Sequence, residues 1–312
     1  MSKTFCVQPW LGKEIGIGDK TPKVCCWIPM QELLLPETMD EIRHALLTGV
    51  KHPACKKCWD LEEVGEESRR QQRNALADML YNKNIENIQE MCIKKGYSPS
   101  IYQIANSNIC NGACIMCNSF SSSKWQSLNK DFEVINNNIQ DQDIDFENAI
   151  FVEFQGGEPL LDVKILDILK KLKPECMVSI ITNGNIDITP TLLDILKKFK
   201  RLTLCISIDG VGPVYEYQRW PLKWNKLVEN LTKFKELNLN ISVSYTITNV
   251  NLPYKHETIE WFKSEKLKYI INTVHMPKYF AVTAPISEET IQELDRQDAL
   301  KGIDRRDYGF NF

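Results

Sequence analysis

The sequence predicts an α/β fold, an incomplete (β/α)6 barrel of parallel strands preceded by a small cysteine-rich domain. Three observations predict it. Six short β-prone runs alternate with helical segments beyond residue 97. Every one of those runs ends in a loop of polar or glycine-rich chemistry, and the cysteines fall into two separate groups.

The strand-like runs are Ile101–Ala105, Ile150–Phe154, Val178–Ile181, Leu202–Ile206, Ile241–Ile247 and Tyr269–Val274. They are rich in β-branched and aromatic residues, which suit a pleated surface. Between them, Ile165, Ile168, Leu169 and Leu172 recur at helical spacing. Thr189 and Pro190 read as N-cap and first-turn proline of a helix running to Lys200. Trp224 to Phe234 and Tyr254 to Lys266 give two more helices. Alternation of this kind implies a parallel sheet with right-handed crossovers, which fits either a barrel or an open doubly wound sheet. The polar loops favour the barrel. An open sheet concentrates function at one switch point, whereas a barrel draws its site from several strand ends. With six units where a full barrel has eight, the barrel is expected to be incomplete.

Residues 1–58 read as loops, with a short hairpin around Gly16-Ile17-Gly18-Asp19 and one helix. Thr38 and Glu41 form a capping-box pattern for that helix, which Gly49 would end. The pattern is helical from Asp60 to about Lys95, broken near Asn82–Asn84, and Gly96-Tyr97-Ser98-Pro99 marks a boundary. The expected domains are therefore 1–96, 97–280 and a helical tail over 281–312.

The chain has 312 residues, of which 43% are hydrophobic and 25% charged, with a formal net charge of -3. That balance argues against general affinity for a nucleic-acid backbone. The N-terminus lacks a signal-peptide pattern, and no apolar run approaches the ~20 residues of a membrane span, so a cytoplasmic location is expected. In a reducing compartment, eleven cysteines point to metal ligands or catalytic thiols before disulfides.

Cys110, Cys114 and Cys117 follow the first predicted strand as C-x3-C-x2-C. Three thiolates at this spacing can hold an iron–sulfur cluster while leaving one iron without a protein ligand. A zinc site usually recruits a fourth Cys or His, and none is visible locally. The second strand leads into Gln155-Gly156-Gly157-Glu158-Pro159, the third into Thr182-Asn183-Gly184, and the fourth into Ser207-Ile208-Asp209-Gly210. The fifth ends at Thr248-Asn249-Val250-Asn251 and the sixth at His275-Met276-Pro277.

This combination resembles the radical SAM superfamily. The resemblance implies a radical SAM core, a partial TIM barrel in which S-adenosylmethionine (SAM) binds the open iron of a 4Fe-4S cluster. Reduction then gives methionine and a 5′-deoxyadenosyl radical, which takes hydrogen from a substrate. By the same resemblance, Gly156, Gly157 and Glu158 face the SAM amino group, and Ser207 and Asp209 its ribose or carboxylate. Arg219 pairs with the methionine carboxylate, Met116 packs on adenine, and Thr182 and Asn183 complete the cofactor contacts. His275 is a candidate acid/base or a structural histidine. An electron donor such as flavodoxin or ferredoxin is implied, with a peptide or small molecule as substrate.

Cys6, Cys25, Cys55 and Cys58 form a second constellation, in which Cys26 competes with Cys25. It resembles the twitch module, a short relative of the SPASM domain, placed here ahead of the barrel. The implied cofactor is one auxiliary 4Fe-4S cluster; a zinc ribbon-like site is the alternative reading. A non-catalytic metal-binding interaction protein is the alternative function. Arg69, Arg70 and Arg73 share a helical face and read either as a binding patch for an acidic group or as a solvated charged face.

Overall fold

The computed structural model describes residues 2–19, 22–28, 36–130 and 146–312. Its strands are β1 (Gly12–Ile15), β2 (Ile101–Ala105), β3 (Phe151–Gln155), β4 (Met177–Thr182), β5 (Arg201–Ser207), β6 (Asn240–Ile247) and β7 (Lys268–Thr273). They form one sheet in the order β1 to β7, each strand beside its predecessor. β1 pairs with β2, and β4 to β7 pair in succession, all in parallel. A doubly wound sheet reverses its strand order at the switch point. This one advances one strand at a time, as a barrel does. The fold is therefore α/β with a partial barrel.

The sheet has seven strands rather than the expected six. The added strand, β1, lies in the stretch expected to be loops. Its sequence, Gly-Lys-Glu-Ile, lacks a β-branched run, and its Glu14 side chain is turned inward to a partner far along the chain.

Contacts divide the chain into two compact units, Met1–Ile104 with Asp141–Val152, and Ala105–Gln140 with Glu153–Phe312. In the first unit, the turn at Gly16–Asp19 closes with Asp19 N–H donating to Gly16 O at 3.1 Å, and Glu14 bridges antiparallel to Lys23. The helix Pro36–Thr48 begins two residues before the expected Thr38 cap and ends at Gly49, which has φ +87°. The helical stretch to Lys95 starts earlier than expected and breaks twice, giving Lys56–Glu63, Arg69–Tyr81 and Ile85–Lys95. Ser68 caps the second in a full capping box, and Asn82 ends it in the left-handed conformation.

In the second unit, inward residues alternate along the strands, such as Val178 and Ile180 on β4 and Val243, Tyr245 and Ile247 on β6. Amphipathic helices cover them. Trp224–Glu236 buries Leu227, Leu231 and Phe234 on one stripe, each worth about 1.5–3 kcal/mol of burial. The C-terminal helix Glu288–Lys301 is capped by Ser287. It packs Leu294 into a cluster with Ile115, Val214, Tyr217, Val250, Phe280 and Phe310. Among the described residues, no helix is long and apolar enough to cross a membrane.

Candidate active site

The three cysteines of the C-x3-C-x2-C segment sit in the loop after β2, and the backbone around them is tied on several sides. Cys110 N–H donates to Ser123 Oγ at 3.0 Å, and Ser122 Oγ donates to Gly112 O at 2.6 Å. Ala113 N–H donates to Trp220 O at 2.6 Å and Ile115 N–H to Gln218 O at 3.0 Å. Trp125 Nε1 donates to Cys114 O at 2.9 Å. Gly112 N–H points at Cys110 Sγ, 3.4 Å away. Ser122, Trp125 and Gln218 are supports that sequence reasoning missed. Ser122 and Trp125 carry one local signal, a Ser N-cap before the short helix Ser123–Leu128. The polar segment over 119–147, which by its sequence reads as either a lid over the barrel mouth or an extended crossover, falls for residues 131–145 outside the described residues.

The loop after β3 packs directly on the cysteine loop. Gly157 N–H donates to Ser107 O at 3.0 Å and Glu158 N–H to Ile109 O at 2.6 Å. Gly156 has φ +123°, and a Cβ on Gly157 would lie 2.7 Å from Asn108 C and closer still to Ile109 O. Glycine is required here by the approach of the two loops. Asp162 Oδ2 accepts from Asn106 Nδ2 and Ser107 Oγ, both at 2.6 Å, and so fixes the same junction. Glu158 is buried and accepts from Thr182 Oγ1 at 2.7 Å, Asn183 N–H at 2.6 Å and Leu160 N–H at 3.1 Å. Burial pushes its carboxyl up, while those three bonds and Arg219 pull it back. Asn183 Nδ2 donates to Asn111 Oδ1 at 2.7 Å. Glu158, Thr182 and Asn183 thus tie the β3 and β4 ends together.

Beyond β5, Asp209 and Arg219 form a buried ion pair at 2.7 Å. Asp209 Oδ1 accepts from Thr246 N–H at 2.8 Å, and Asn251 Nδ2 donates to Asp209 O at 2.8 Å. Asn251 therefore joins the ends of β5 and β6. Arg219 Nη1 lies 3.9 Å from Cys114 Sγ. Burial works against the guanidinium charge, but Asp209 and Cys114 outweigh it and hold its pKa above the ordinary value. Ser207 is half-buried at the β5 end. Met116 is half-buried, packs on the core cluster that holds Ile115, and lines a pocket with Cys117, Trp125, Tyr279, Glu293 and Gln297. His275 is exposed beyond β7, 3.2 Å from Thr273 Oγ1.

As free thiols, Cys110 and Cys117 are pushed up to about 12 by burial and by Cys114. A metal would have to displace those protons on binding. Among the described residues, no three or more His, Cys, Asp or Glu side chains surround a single-ion position. The donor set nevertheless fits an iron–sulfur cluster: three thiols on one loop, a backbone N–H toward sulfur and a guanidinium beside Cys114.

A family description named "Radical SAM superfamily" matches residues 106–276, more than half of the chain. The chain belongs to the radical SAM superfamily. The uncharacterized protein MJ0907 of Methanocaldococcus jannaschii is 29% identical over 182 residues, 55% of this chain and 61% of that protein. The radical SAM chain is also similar to a structure of anSMEcpe with bound AdoMet, at 18% identity and a TM-score of 0.45, covering 64% of this chain and 58% of that one. Streptococcus suis SuiB bound to precursor peptide SuiA matches at 16% identity and a TM-score of 0.42, over 82% and 62%. The chain thus spans about three fifths of the length of these relatives.

In the first unit, Cys6, Cys25, Cys55 and Cys58 line one pocket together with Pro9, Trp27, Ile28, Leu46, Arg69 and Arg70. Cys26 is exposed and is not among the lining residues; its N–H donates to Glu14 Oε2 at 2.6 Å. The backbone N–H groups of Gln8, Trp27 and Arg70 lie near enough to Cys6, Cys25 and Cys58 to offset part of the effect of burial on those thiols. Burial raises Cys6 well above the ordinary thiol value, with Cys25, Cys55 and Cys58 adding to it. Four thiols, nearby backbone N–H groups and two cationic neighbours also fit a cluster. The arginines differ from both sequence readings. Arg69 reaches Glu14 and Gln103, Arg70 clasps Glu62 at 2.9 and 2.7 Å, and Arg73 meets Gln103 at 3.0 Å. They are internal ties, placed by partners on other segments rather than by their own helix periodicity.

Proposed function

We propose that this chain is a radical SAM enzyme whose Cys110, Cys114 and Cys117 hold a 4Fe-4S cluster that cleaves SAM, and that an auxiliary cluster binds in an N-terminal twitch-like module. The observation that carries the reading is the meeting of the three-cysteine loop, the Gly156-Gly157-Glu158 turn and the Asp209–Arg219 pair within the family-matched region. When bound, the cluster and SAM supply an electron and a 5′-deoxyadenosyl radical able to take hydrogen from carbon. The chain's own residues supply position. Arg219 offers a buried cation beside Cys114 for a carboxylate such as that of methionine. Asp209 holds its guanidinium in place, and Met116 offers a polarizable wall to an aromatic base. Ser207, Thr182 and Asn183 line the strand ends that such a cofactor would cover.

Cys6, Cys25, Cys55 and Cys58 are the proposed ligands of the auxiliary cluster, which would accept an electron from, or anchor, a peptide or small-molecule substrate. A flavodoxin or ferredoxin is the proposed reductant, in a cytoplasmic setting.

Metal analysis of anaerobically reconstituted protein tests this reading. About eight irons per chain are expected for two cubanes, with an electron paramagnetic resonance (EPR) signal that changes on adding SAM. Replacing Cys110, Cys114 and Cys117 by Ala should halve the iron and abolish the SAM response. Zinc in place of iron, or a SAM response that survives the triple replacement, would contradict it.

A further inference from the structure

Lys301 ends the C-terminal helix, outside the family-matched region, and is only 7% exposed. Burying an ammonium group is costly unless something compensates the charge. Among the described residues, no carboxylate lies within ion-pair distance of it. Its contacts lead instead to the cysteine loop by two short routes. Nζ lies 4.9 Å from the centre of the Trp125 ring, whose Nε1 donates to Cys114 O at 2.9 Å. Nζ also donates to Gln297 Oε1 at 3.1 Å, and Gln297 Nε2 donates to Ile115 O at 3.0 Å. Two consecutive carbonyls of the loop are thus held through one intermediary each. Both intermediaries are almost fully buried, so the ties are shielded from water.

Cys114 is the group that most favours this buried charge, with Asp298 and Glu293 adding to it from beyond ion-pair distance, and an anionic group on the loop would compensate it more fully. Three thiolates bound to a cluster provide that negative charge, and Lys301 already lies within electrostatic reach of Cys114. Cluster potentials respond to nearby charge and to burial. We propose that Lys301 is a positioning residue of the core cluster, clamping the Cys114–Ile115 backbone through Trp125 and Gln297 and setting a buried positive charge one side chain away from it. This rests on the radical SAM reading given above. The tail of the chain is then part of the cluster site, not an appendage to the barrel.

The test is a redox titration of the full, reconstituted protein at pH 7, following the EPR component that responds to SAM. Lys301→Met keeps the unbranched four-atom stem and removes the charged group. It should lower that component's midpoint potential, shifting the reduced-to-oxidised ratio about tenfold (~59 mV for one electron). Lys301→Arg should titrate as wild type. Should Lys301→Met fail to fold, Lys301→Gln makes the same comparison. An unshifted potential in the neutral variants overturns the proposal while leaving the radical SAM reading intact, as does a Lys301→Arg variant that shifts as far as Lys301→Met. Absence of any SAM-responsive component from wild-type protein overturns the underlying reading, and this proposal with it.

Discussion

At Gly157 a single methyl group decides whether two loops can meet. The β3 loop lies so close to the cysteine loop that an added Cβ would overlap Ile109 O and Asn108, and backbone cannot move aside as a flexible side chain can. Gly157→Ala should therefore cost at least the ~1–3 kcal/mol typical of overpacking and loosen the cysteine loop. Urea denaturation and the iron bound per chain measure the two effects; wild-type values for both would sink the idea. The Gly-Gly-Glu turn is visible in the sequence, but its work is not. By resemblance Gly156 and Gly157 face the SAM amino group; the structure adds that they also make room for the cysteine loop. Glu158, Thr182 and Asn183 likewise bind one another. Nor could the sequence tell that the chain's path brings Cys25 to the pocket and leaves Cys26 exposed.

The helix that carries Cys58 is tied to the next one by one carboxylate. Glu62, near the end of Lys56–Glu63, accepts from Ser68 Oγ and from two nitrogens of Arg70. It so fixes the short link between that helix and Arg69–Tyr81. Burial raises its pKa, but the bonds from Arg70 and Ser68 outweigh burial and leave it lowered. A lowered carboxylate pKa adds stability above the unfolded value, which fades as pH falls through the folded one. Glu62→Gln should cost about 1 kcal/mol at pH 7, a low figure because the pair keeps some contact with water. The difference from wild type should shrink once pH drops below about 4.5, and a gap that stays constant down to pH 3 would contradict this origin. Six of the strands were legible because each is a compact β-prone run between turn or helical segments. β1 was not, because the register that defines it, Gly12 opposite Ile101 through Ile15 opposite Ile104, depends on residues nearly ninety positions away. Its Glu14 is tolerable inside because Arg69, Gln8 and the Cys26 N–H reach it.

Across the whole molecule, the consecutive order of strands brings the loops after β2 to β6 to one end of the sheet, where the ties described above join them. That much follows from strand–helix alternation, and the polar strand ends pointed to it in advance. The contribution of the C-terminal helix could not be read, since Gln297 and Lys301 carry no motif and act through Trp125, far away in sequence. The central claim is that Cys110, Cys114 and Cys117 hold a cluster able to cleave SAM. The most direct measurement of it is 5′-deoxyadenosine release, quantified after anaerobic incubation of iron-loaded protein with dithionite and SAM. Release by the wild type, with none from the Cys110, Cys114 and Cys117 to Ala variant, is the predicted result. No 5′-deoxyadenosine from fully iron-loaded wild-type protein, or equal release from the variant, would contradict it.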